Sequence, residues 1–319
     1  MKRTKKAIVL GAGGFIGHHL ARFLKKKGYY VRGVDIKYPE FSGLDDFNEF
    51  LQLDLRDFRN CMEAITGADE VYQLAANMGG MGFITFHKAD VMRDNATINI
   101  NVAEACVRAG VDRVFYSSSA CVYPISLQTQ TDVTGLKESD AYPADPDNEY
   151  GWEKLYSERV YKAYEKDLGL NVRIARFHNI YGPEGTYEGG REKAPAAICR
   201  KISRAKNKDT IEVWGDGEQS RSFCYIDDCL RGIDMLMHSE YKEPVNIGSD
   251  RLIKMNDFVD LVAKIAGKEI KKKHLLDKPQ GVRGRNSDNT LCKREIGFEA
   301  KISLEEGMEK TYNWINKQT

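Results

Sequence analysis

A tyrosine and a lysine stand four residues apart in the run Tyr150-Gly-Trp-Glu-Lys154. On a helix this spacing places the phenol and the ammonium on the same face. A nearby ammonium stabilises a phenolate, so Tyr150 could take the proton of a hydroxyl near neutral pH. Chance alone gives about one such pair in a chain of this kind, but this Tyr-x-x-x-Lys occurs only once here. Upstream, Ser119 could bring a hydroxyl to the same reaction centre.

Glycines recur in the run Gly11-Ala-Gly-Gly-Phe-Ile-Gly17, which follows the apolar residues 7–10 and precedes a helical stretch. Such glycines permit a tight turn and let a pyrophosphate approach the backbone at the positive end of a helix. Asp35 ends the second predicted strand, where a carboxylate binds the ribose of an adenine dinucleotide and repels a 2′-phosphate. The pattern therefore predicts NAD rather than NADP as the cofactor. Its predicted contacts are Gly11, Gly14, Phe15, Ile16, Gly17 and Asp35.

A second carboxylate, Asp54 in the run Leu53-Asp-Leu55, has two interpretations. It could lie beside the adenine of the cofactor, or it could be an exposed aspartate in a turn. A glycine-rich turn without any ligand is the corresponding alternative for the run 11–17, but the surrounding strand, helix and acid disfavour it. The residues alone leave the role of Asp54 open.

The elements that must position these residues alternate between short apolar strands and amphipathic helices. This alternation is typical of a doubly wound parallel sheet with helices on both faces. From about Asn171 onward the pattern is less regular, and glycine-rich turns mark loops where a substrate site would be assembled. The predicted elements are strands at 7–10, 30–34, 70–74 and 113–116 and helices near 15–27, 95–109 and 304–315.

Composition limits the kinds of partner. The chain has 319 residues and a formal net charge of +1, which provides no global field for nucleic acid or an anionic membrane. No run approaches the roughly 18 apolar residues that a membrane span requires. The seven cysteines are widely spaced, without a Cys-x-x-Cys pair, as expected for reduced thiols. We therefore expect a cytoplasmic protein with a small-molecule partner, with no nucleic acid, membrane or metal site.

The order of glycine turn, strand-end acid, serine run and Tyr-x-x-x-Lys resembles the extended short-chain dehydrogenase/reductase family of nucleotide-sugar enzymes. Longer stretches carry the resemblance over nearly the whole chain. They are Ala75-Ala-Asn-Met-Gly-Gly-Met-Gly-Phe83, Ser118-Ser-Ala-Cys-Val-Tyr-Pro124, Arg176-Phe-His-Asn-Ile-Tyr-Gly-Pro183, Gly189-Gly-Arg-Glu-Lys-Ala-Pro-Ala196 and Gly281-Val-Arg-Gly-Arg-Asn-Ser-Asp288.

The resemblance implies a Rossmann-type NAD domain, residues 1–173 plus about 221–247, interleaved with a smaller nucleotide-sugar domain, about 174–220 plus 248–319. It also implies a homodimer formed through the two-helix surface that carries Tyr150. The implied reaction converts GDP-α-D-mannose to GDP-L-galactose, with GDP-L-gulose as the product of inversion at C5 alone. NAD would oxidise C4 transiently, protons would exchange at C5 and C3, and C4 would be reduced again.

By resemblance, Tyr150, Lys154 and Ser119 carry the hydride step, and Tyr150, Lys154 and Asp54 also contact NAD. Cys121 and Lys193 would form the acid/base pair that moves carbon-bound protons. Apart from the resemblance, Cys121 could equally be a buried structural thiol, and Lys193 a solvated lysine or a phosphate clamp. The implied substrate contacts are Gly79, Ser119, Ala120, Cys121, Asn179, Glu192, Lys193, Ala194, Lys201, Gln219, Ser220, Arg221 and Arg285.

Three points remain open at this stage. Arg283 is a less certain member of the cationic cradle for a diphosphate, and His178, next to a strand end, is more typical of a structural histidine. A 4-epimerase or a 4,6-dehydratase of another nucleotide sugar is the alternative function, although the dehydratase would need a carboxylate that Ser119-Ala-Cys121 does not offer. A non-catalytic NAD-binding protein is the more distant alternative.

Overall fold

A computed structural model of the chain describes residues 3–319. Fourteen strands are present in this range. They are β1 (Lys6–Leu10), β2 (Tyr30–Asp35), β3 (Glu49–Gln52), β4 (Glu70–Gln73), β5 (Arg113–Ser119), β6 (Val172–Phe177), β7 (Ile180–Tyr181), β8 (Thr210–Trp214), β9 (Ser220–Ser222), β10 (Cys224–Tyr225), β11 (Val245–Ile247), β12 (Leu252–Lys254), β13 (Lys271–Leu275) and β14 (Gly284–Arg285).

Ten α-helices connect or cover the strands within the same range. They are α1 (Phe15–Lys26), α2 (Phe58–Ile65), α3 (Met81–Phe86), α4 (Lys88–Ala109), α5 (Glu149–Leu168), α6 (Ala194–Arg204), α7 (Ile226–Met237), α8 (Met255–Ile265), α9 (Thr290–Ile296) and α10 (Leu304–Asn316). Within residues 3–319, no helix is both long and apolar enough to cross a membrane.

Seven strands form one parallel sheet in the order β11-β6-β5-β4-β1-β2-β3. This order reverses direction between β1 and β4, and the crevice at such a reversal is where doubly wound folds bind dinucleotides. The predicted fold class, a Rossmann-type doubly wound sheet, is confirmed. The glycine turn after β1 lies at this reversal.

Strand β1 shows how the sheet is buried on both faces. All four residues from Ala7 to Leu10 are fully buried. Because side chains alternate along a strand, Ala7 and Val9 pack into one hydrophobic cluster with residues of α1 and α7. Ile8 and Leu10 pack into another with residues of α2, α4 and α5. A strand buried on both faces reads as a continuous apolar run, as in this sequence.

The second half of the chain adds three small sheets: β7 with β10, β9 between β12 and β14, and β8 with β13. The segment that carries β11 returns to the large sheet and pairs with β6. The proposed division into two interleaved domains stays a prediction, and its boundary at 173 falls inside β6, which continues to Phe177.

Two predicted elements are longer in the structure. Helix α4 begins at Lys88 rather than near Asn95, because Val91 and Asp94 are buried within a stretch that looks charged and polar in sequence. Strand β5 continues through the serine run to Ser119, since Ser117 to Ser119 pair with β6. The serine run is therefore the carboxyl end of a central strand.

Candidate active site

The glycine turn at residues 11–17 is sterically restricted to glycine at two positions. Gly11 has φ +82°, a left-handed conformation that favours glycine. A Cβ atom on Gly17 would lie 2.0 Å from the carbonyl oxygen of Gly11, so α1 can begin this close to the turn only without a side chain. The first turn of α1 has no acidic residue and Gly14 provides no side-chain cap. Its free N–H groups therefore suit an anionic ligand such as a pyrophosphate.

The Asp35 carboxylate lies at the end of β2 beside this turn. It accepts hydrogen bonds from the backbone N–H of Gly13 at 2.9 Å and of Lys37 at 3.2 Å. Burial raises the pKa of Asp35, and these backbone donors oppose the increase. The turn, the helix start and this acid together fit the dinucleotide that the sequence predicts.

The Asp54 side chain follows β3 at the same edge of the sheet. Its carboxylate accepts hydrogen bonds from the Arg56 guanidinium, with Nη2 at 2.7 Å, and these bonds lower the pKa of Asp54. The carboxylate is 41% exposed. A contact between Asp54 and the adenine stays a prediction, and this structure supports the turn-aspartate interpretation equally well.

Cofactor preference gives a direct test of the Asp35 assignment. We expect NAD to bind more tightly than NADP, because the carboxylate accepts from ribose hydroxyls and repels a 2′-phosphate. Changing Asp35 to Asn should reduce the ratio of the NADP to the NAD dissociation constant by about tenfold, which corresponds to about 1.4 kcal/mol of binding free energy. Calorimetric titration of nucleotide-free protein with each cofactor measures it. Changing Lys37 to Ala is the control, and equal binding of both cofactors by the wild type would contradict the assignment.

Three side chains of α1 hold the loop that follows β7. Arg22 donates to the Glu184 carboxylate at 3.1 Å, His18 Nε2 lies 3.1 Å from the same group, and His19 Nε2 lies 3.1 Å from the carbonyl oxygen of Pro183. Burial alone would raise the pKa of Glu184, but the hydrogen bonds from His18 and Arg22 lower it to about 2. Although His18, His19 and Glu184 are metal-ligand types lying close together, this carboxylate is already paired and we assign no metal to it.

The Tyr150 and Lys154 pair lies at the start of α5, which Asn148 caps by accepting from the backbone N–H of Gly151 at 3.0 Å. Tyr150 is 8% exposed and Lys154 is 2% exposed. The Lys154 ammonium donates to the carbonyl oxygen of Ser117 at 2.9 Å and lies 5.6 Å from the centre of the Tyr150 ring. The two groups share one helix face, as their spacing indicates.

The electrostatics of this pair differ from the sequence expectation. Burial raises the pKa of Tyr150, the charges of Cys121 and Glu153 raise it further, and only a hydrogen bond with Ser119 lowers it. Burial also lowers the pKa of Lys154. The Lys154 ammonium lies over the Tyr150 ring and donates to a backbone carbonyl, and its stabilisation of a phenolate stays a prediction.

Ser119 is the one serine at the end of β5 that is not buried. The hydroxyls of Ser117 and Ser118 are buried, and they donate to Gln73 O at 3.0 Å and to Glu158 Oε1 at 2.5 Å. Ser119 Oγ instead accepts from the backbone N–H of Cys121 at 3.1 Å and caps the short 3-10 helix 120–122. This cap fixes the position of the thiol two residues further on.

Cys121 is the one free cysteine among residues 3–319 that is not buried. Its Sγ accepts from Arg285 Nη1 at 3.2 Å. A Cβ atom on Gly151 would lie 2.1 Å from the carbonyl oxygen of Cys121, so α5 approaches the thiol segment this closely only because residue 151 is glycine. The thiol and Tyr150 are thereby brought to the same cleft.

Lys193 directly precedes α6. Solvent reaches this residue, and within residues 3–319 its ammonium has no hydrogen-bond partner. Partial desolvation lowers the pKa of Lys193, and the charge of Cys121 opposes this change. The structure thus brings Lys193 into the electrostatic range of the thiol, although the sequence separates the two residues by a whole helix and two strands.

Several side chains that are predicted to contact the substrate form hydrogen bonds within the protein. Asn179, which has φ +43°, donates to Ser222 O at 2.8 Å, and Lys201 donates to Glu212 O at 2.7 Å. Gln219 donates to Trp214 O at 2.8 Å. These contacts fix side chains around the cleft, and their roles toward a substrate stay predictions. The same holds for Gly79, Ala120, Ala194 and Ser220.

The Glu192 carboxylate joins the loop that carries Lys193 to α6. It accepts from the backbone N–H of Gly190 at 2.7 Å and from Arg200 Nη2 at 2.9 Å. The backbone N–H of Gly80 donates to Arg191 O at 3.0 Å, which ties this loop to the segment 75–83. The two sequence motifs around Gly79 and Glu192 are therefore in direct contact.

Three arginines in the second half of the chain, Arg221, Arg283 and Arg285, differ in their contacts. Arg283 is paired with Asp216, with both nitrogen–oxygen distances at 2.8 Å, and its role toward a diphosphate stays a prediction. Arg221 donates only to backbone carbonyls, including Val282 O at 2.6 Å. Burial, followed by the charge of Arg285, lowers the pKa of Arg221 to about 9. Arg221 is thus a half-buried cation that has no carboxylate in hydrogen-bond contact among the described residues.

Sequence reasoning missed three residues at this site. The Arg191 guanidinium stacks 3.9 Å from the centre of the Phe83 ring and links the two cleft loops. Gln128 and Asp147 both bind Arg285. Arg191 lies in the stretch 189–196, but its position there does not predict a contact with Phe83. Gln128 and Asp147 are far from Arg285 in the sequence, so their contacts with it are not predictable from spacing. His178 is fully buried, its Nε2 lies 3.0 Å from Asn246 Oδ1, and burial lowers its pKa to about 3.

Comparison with known proteins defines the class. The chain belongs to the NAD dependent epimerase/dehydratase family, whose model matches residues 7–248. Its cofactor is NAD. The chain is 49% identical over 311 residues to GDP-mannose 3,5-epimerase 1 of Oryza sativa subsp. japonica, covering 97% of this chain and 81% of the relative. It is 48% identical over 314 residues to GDP-mannose 3,5-epimerase of Arabidopsis thaliana, covering 98% and 82%.

The fold agrees with a solved member of the same type. UDP-glucuronic acid 4-epimerase from Bacillus cereus, solved in complex with UDP-glucuronic acid and NAD, superposes with a TM-score of 0.84. The two chains are 25% identical, and the match covers 98% of this chain and 100% of the other. The chain is therefore an NAD-dependent nucleotide-sugar epimerase by family and by fold.

Proposed function

We propose that this protein inverts GDP-α-D-mannose at C5 and C3 and releases GDP-L-galactose. The observation that carries the proposal is that Cys121 packs against Tyr150 and lies within electrostatic range of Lys193. A simple 4-epimerase needs only hydride chemistry and has no use for a second acid/base pair. The name of the plant relatives, GDP-mannose 3,5-epimerase, supports the same reaction.

The first step makes a ketone at C4. When bound, NAD would supply the hydride chemistry for this oxidation and for the later reduction. Tyr150 removes the proton of the C4 hydroxyl, and Ser119 holds the same oxygen through its hydroxyl. Lys154, fixed by Ser117 O at 2.9 Å, keeps its ammonium next to the tyrosine ring. Gly11, Gly17 and Asp35 are the residues that hold the cofactor.

The second step exchanges protons at carbon. A ketone at C4 acidifies the C3 and C5 hydrogens, so one group can remove a proton from one face of the sugar while another donates to the opposite face. We assign these roles to Cys121 and Lys193. Inversion at C5 alone gives GDP-L-gulose.

Arg221 provides the charge that a nucleotide diphosphate requires. Among residues 3–319 its guanidinium donates only to backbone carbonyls, while the charge of Asp147 acts on it without a direct hydrogen bond. A diphosphate would give this guanidinium a direct anionic partner. Lys201 and Gln219 lie at the same side of the cleft and complete the proposed nucleotide contacts.

Product analysis tests the proposed function. Pure protein incubated with GDP-mannose in deuterated water, followed by proton NMR, should yield inverted sugar that carries deuterium at C5 and C3. C4 should stay free of deuterium, because its hydrogen travels on the cofactor and never meets solvent. Deuterium at C4, or inversion at C4 alone, would overturn the proposal and favour a 4-epimerase. Elimination of water would favour a 4,6-dehydratase.

We further propose that the protein is a cytoplasmic homodimer. The free cysteines of the described chain suit a reducing compartment. The surfaces of α4 and α5 expose Met92, Ile100, Trp152 and Tyr156, with Trp152 43% and Tyr156 49% exposed. Neighbouring aromatic residues on a surface are typical of a protein interface.

Sedimentation equilibrium tests the dimer. Changing Trp152 and Tyr156 together to Glu should raise the dimer dissociation constant by about 30-fold or more, the effect of losing about 2 kcal/mol at an interface centre. Changing Leu276 to Glu, which alters an exposed apolar residue elsewhere, should have no effect. A monomeric wild type would refute the proposal.

A further inference from the structure

Gly80 lies where the backbone of one cleft segment meets the loop that carries Lys193, here called the lysine loop (residues 189–193). The φ of −67° and ψ of 177° at Gly80 are open to any residue, so its conformation does not require glycine. A Cβ atom there, however, would lie 2.4 Å from the carbonyl oxygen of Glu192. To admit that atom, the two backbones would have to separate by about 1 Å. Glycine is therefore needed at position 80 only for the close approach of the lysine loop.

Arg191 joins the same two parts of the chain through its backbone and its side chain. Its carbonyl oxygen accepts from the backbone N–H of Gly80 at 3.0 Å, and its guanidinium carbon lies 3.9 Å from the centre of the Phe83 ring. A cation over the face of an aromatic ring is attracted by the charge distribution of the ring. The His87 ring also stacks against Phe83, with 4.5 Å between the ring centres. The lysine loop is thus held two residues before Lys193.

Residues 77–83, the segment that binds the lysine loop, are themselves fixed to α4. The backbone N–H of Asn77 donates to Asn95 Oδ1 at 2.6 Å, and Asn95 Nδ2 donates back to Asn77 O at 3.2 Å. The Asn77 side chain donates to Asp94 Oδ2 at 3.1 Å. Asn95 and Asp94 are both buried. Because its partners on α4 are buried, the segment has a defined position before any sugar binds.

The 77–83 segment also packs beside the reacting residues. Phe83 and Cys121 both pack against the apolar cluster that includes Tyr150. The Lys193 ammonium forms no hydrogen bond within residues 3–319, so its position depends on the backbone that carries it. One short segment therefore connects the tyrosine and the thiol to the loop that presents the lysine.

We propose that Gly80 and Arg191 are positioning residues that set the place of Lys193 for proton exchange at carbon. This inference rests on the proposed function and deepens it. Both residues act through the backbone of the lysine loop rather than on the sugar. The proton step needs the ammonium at contact distance from the reacting carbon, so it is sensitive to a shift of this loop. The oxidation of C4 is assigned to Tyr150 and the cofactor, and it does not use the loop.

Gly80→Ala tests this separation of the two steps. Inversion of GDP-mannose and deuterium uptake at C5 and C3 should fall by about 10²-fold, the effect of a misplacement of about 1 Å. Transient NADH formation should stay at the wild-type level. Gly43→Ala is the matched control, because exposed Gly43 also precedes a helical turn, with φ −80° and ψ 161°. A Cβ atom on Gly43 would meet no atom closer than 3.8 Å.

Arg191→Ala weakens the same contact from the side of the lysine loop. The kcat for inversion should fall by about two- to fivefold, the effect of losing a cation over a ring at an exposed site. The KM for GDP-mannose and the formation of NADH should not change. Arg191→Lys should recover part of the rate because it keeps a cation near Phe83. A raised KM with an unchanged kcat would make Arg191 a substrate contact and overturn the proposal. Inversion at the wild-type rate in Gly80→Ala, or an equal loss of NADH formation in either variant, would overturn it as well.

Amide hydrogen exchange without sugar reports on the loop contact itself. Exchange at the amide of residue 80 and in residues 189–193 should be faster in Gly80→Ala than in the wild type, and unchanged in Gly43→Ala. A wild type that does not convert GDP-mannose but shows this pattern would remove the proposed function and leave the loop contact in place. A wild type that inverts the sugar, with unchanged exchange and inversion in Gly80→Ala, would remove the inference alone. Binding of NAD by each variant, measured by calorimetry, confirms that the variants are folded.

Discussion

Replacing Tyr150 with Phe should lower the rate of epimer formation by about 10²- to 10⁴-fold, the effect of losing an acid/base group. The substitution removes only the hydroxyl oxygen, which lies next to Ser119 in a buried setting. Without a group to take the C4 hydroxyl proton, neither the ketone nor the later proton exchange can form. Transient NADH absorbance at the start of turnover and the final product by NMR should both fall together.

Tyr30, on β2, provides a control of the same residue type. It is 37% exposed and lies outside both the site and the proposed dimer surface, so Tyr30→Phe should leave both readouts unchanged. Because burial raises the pKa of Tyr150, the oxidation step should become faster as pH rises, since more of the tyrosine is then ionised. A Tyr150→Phe variant with wild-type rates would remove Tyr150 from the mechanism.

Replacing Cys121 with Ala should separate the two halves of the reaction. Proton removal at C5 and C3 should fall by about 10²-fold or more, while oxidation at C4 stays possible because Tyr150, Ser119 and Lys154 are untouched. Bound cofactor should therefore still become reduced on mixing with GDP-mannose, and no inverted sugar should accumulate. Stopped-flow absorbance of NADH together with NMR of the product measures both steps in one preparation.

Lys193→Ala is the companion variant. It should suppress inversion in the same way, with weaker substrate binding if the ammonium also meets the diphosphate. In deuterated water neither variant should place deuterium on C5 and C3 at the wild-type rate. A Cys121→Ala enzyme that inverts the sugar as fast as the wild type would return the interpretation to a simple 4-epimerase.

The parts of this protein that the sequence predicts well are local. The apolar run at residues 7–10 is buried on both faces in the structure, and the glycines that follow it occupy positions where a side chain would collide. Tyr150 and Lys154 share a helix face because their spacing is a property of the helix alone. Such features depend on neighbours within a few residues, which a sequence displays directly.

The parts that the sequence does not predict depend on distant segments. Arg285 and Cys121 are 164 residues apart, and only the fold shows that one binds the other. The same is true of the burial that raises the pKa of Tyr150. Helix α4 begins earlier than its pattern indicates because the burial of Val91 and Asp94 arises from tertiary packing. Spacing therefore located the reacting groups but not the charges that act on them.

Gly151 shows how tertiary packing can override helix propensity at one position. Alanine in the first turns of α5 would favour an isolated helix by about 1 kcal/mol over glycine. The Cβ atom of that alanine would lie 2.1 Å from the carbonyl oxygen of Cys121 and would push the thiol segment away from the helix. Both the packing of α5 and the position of the thiol therefore depend on glycine here. Attempts to improve thermal stability by replacing helical glycines should leave this position alone.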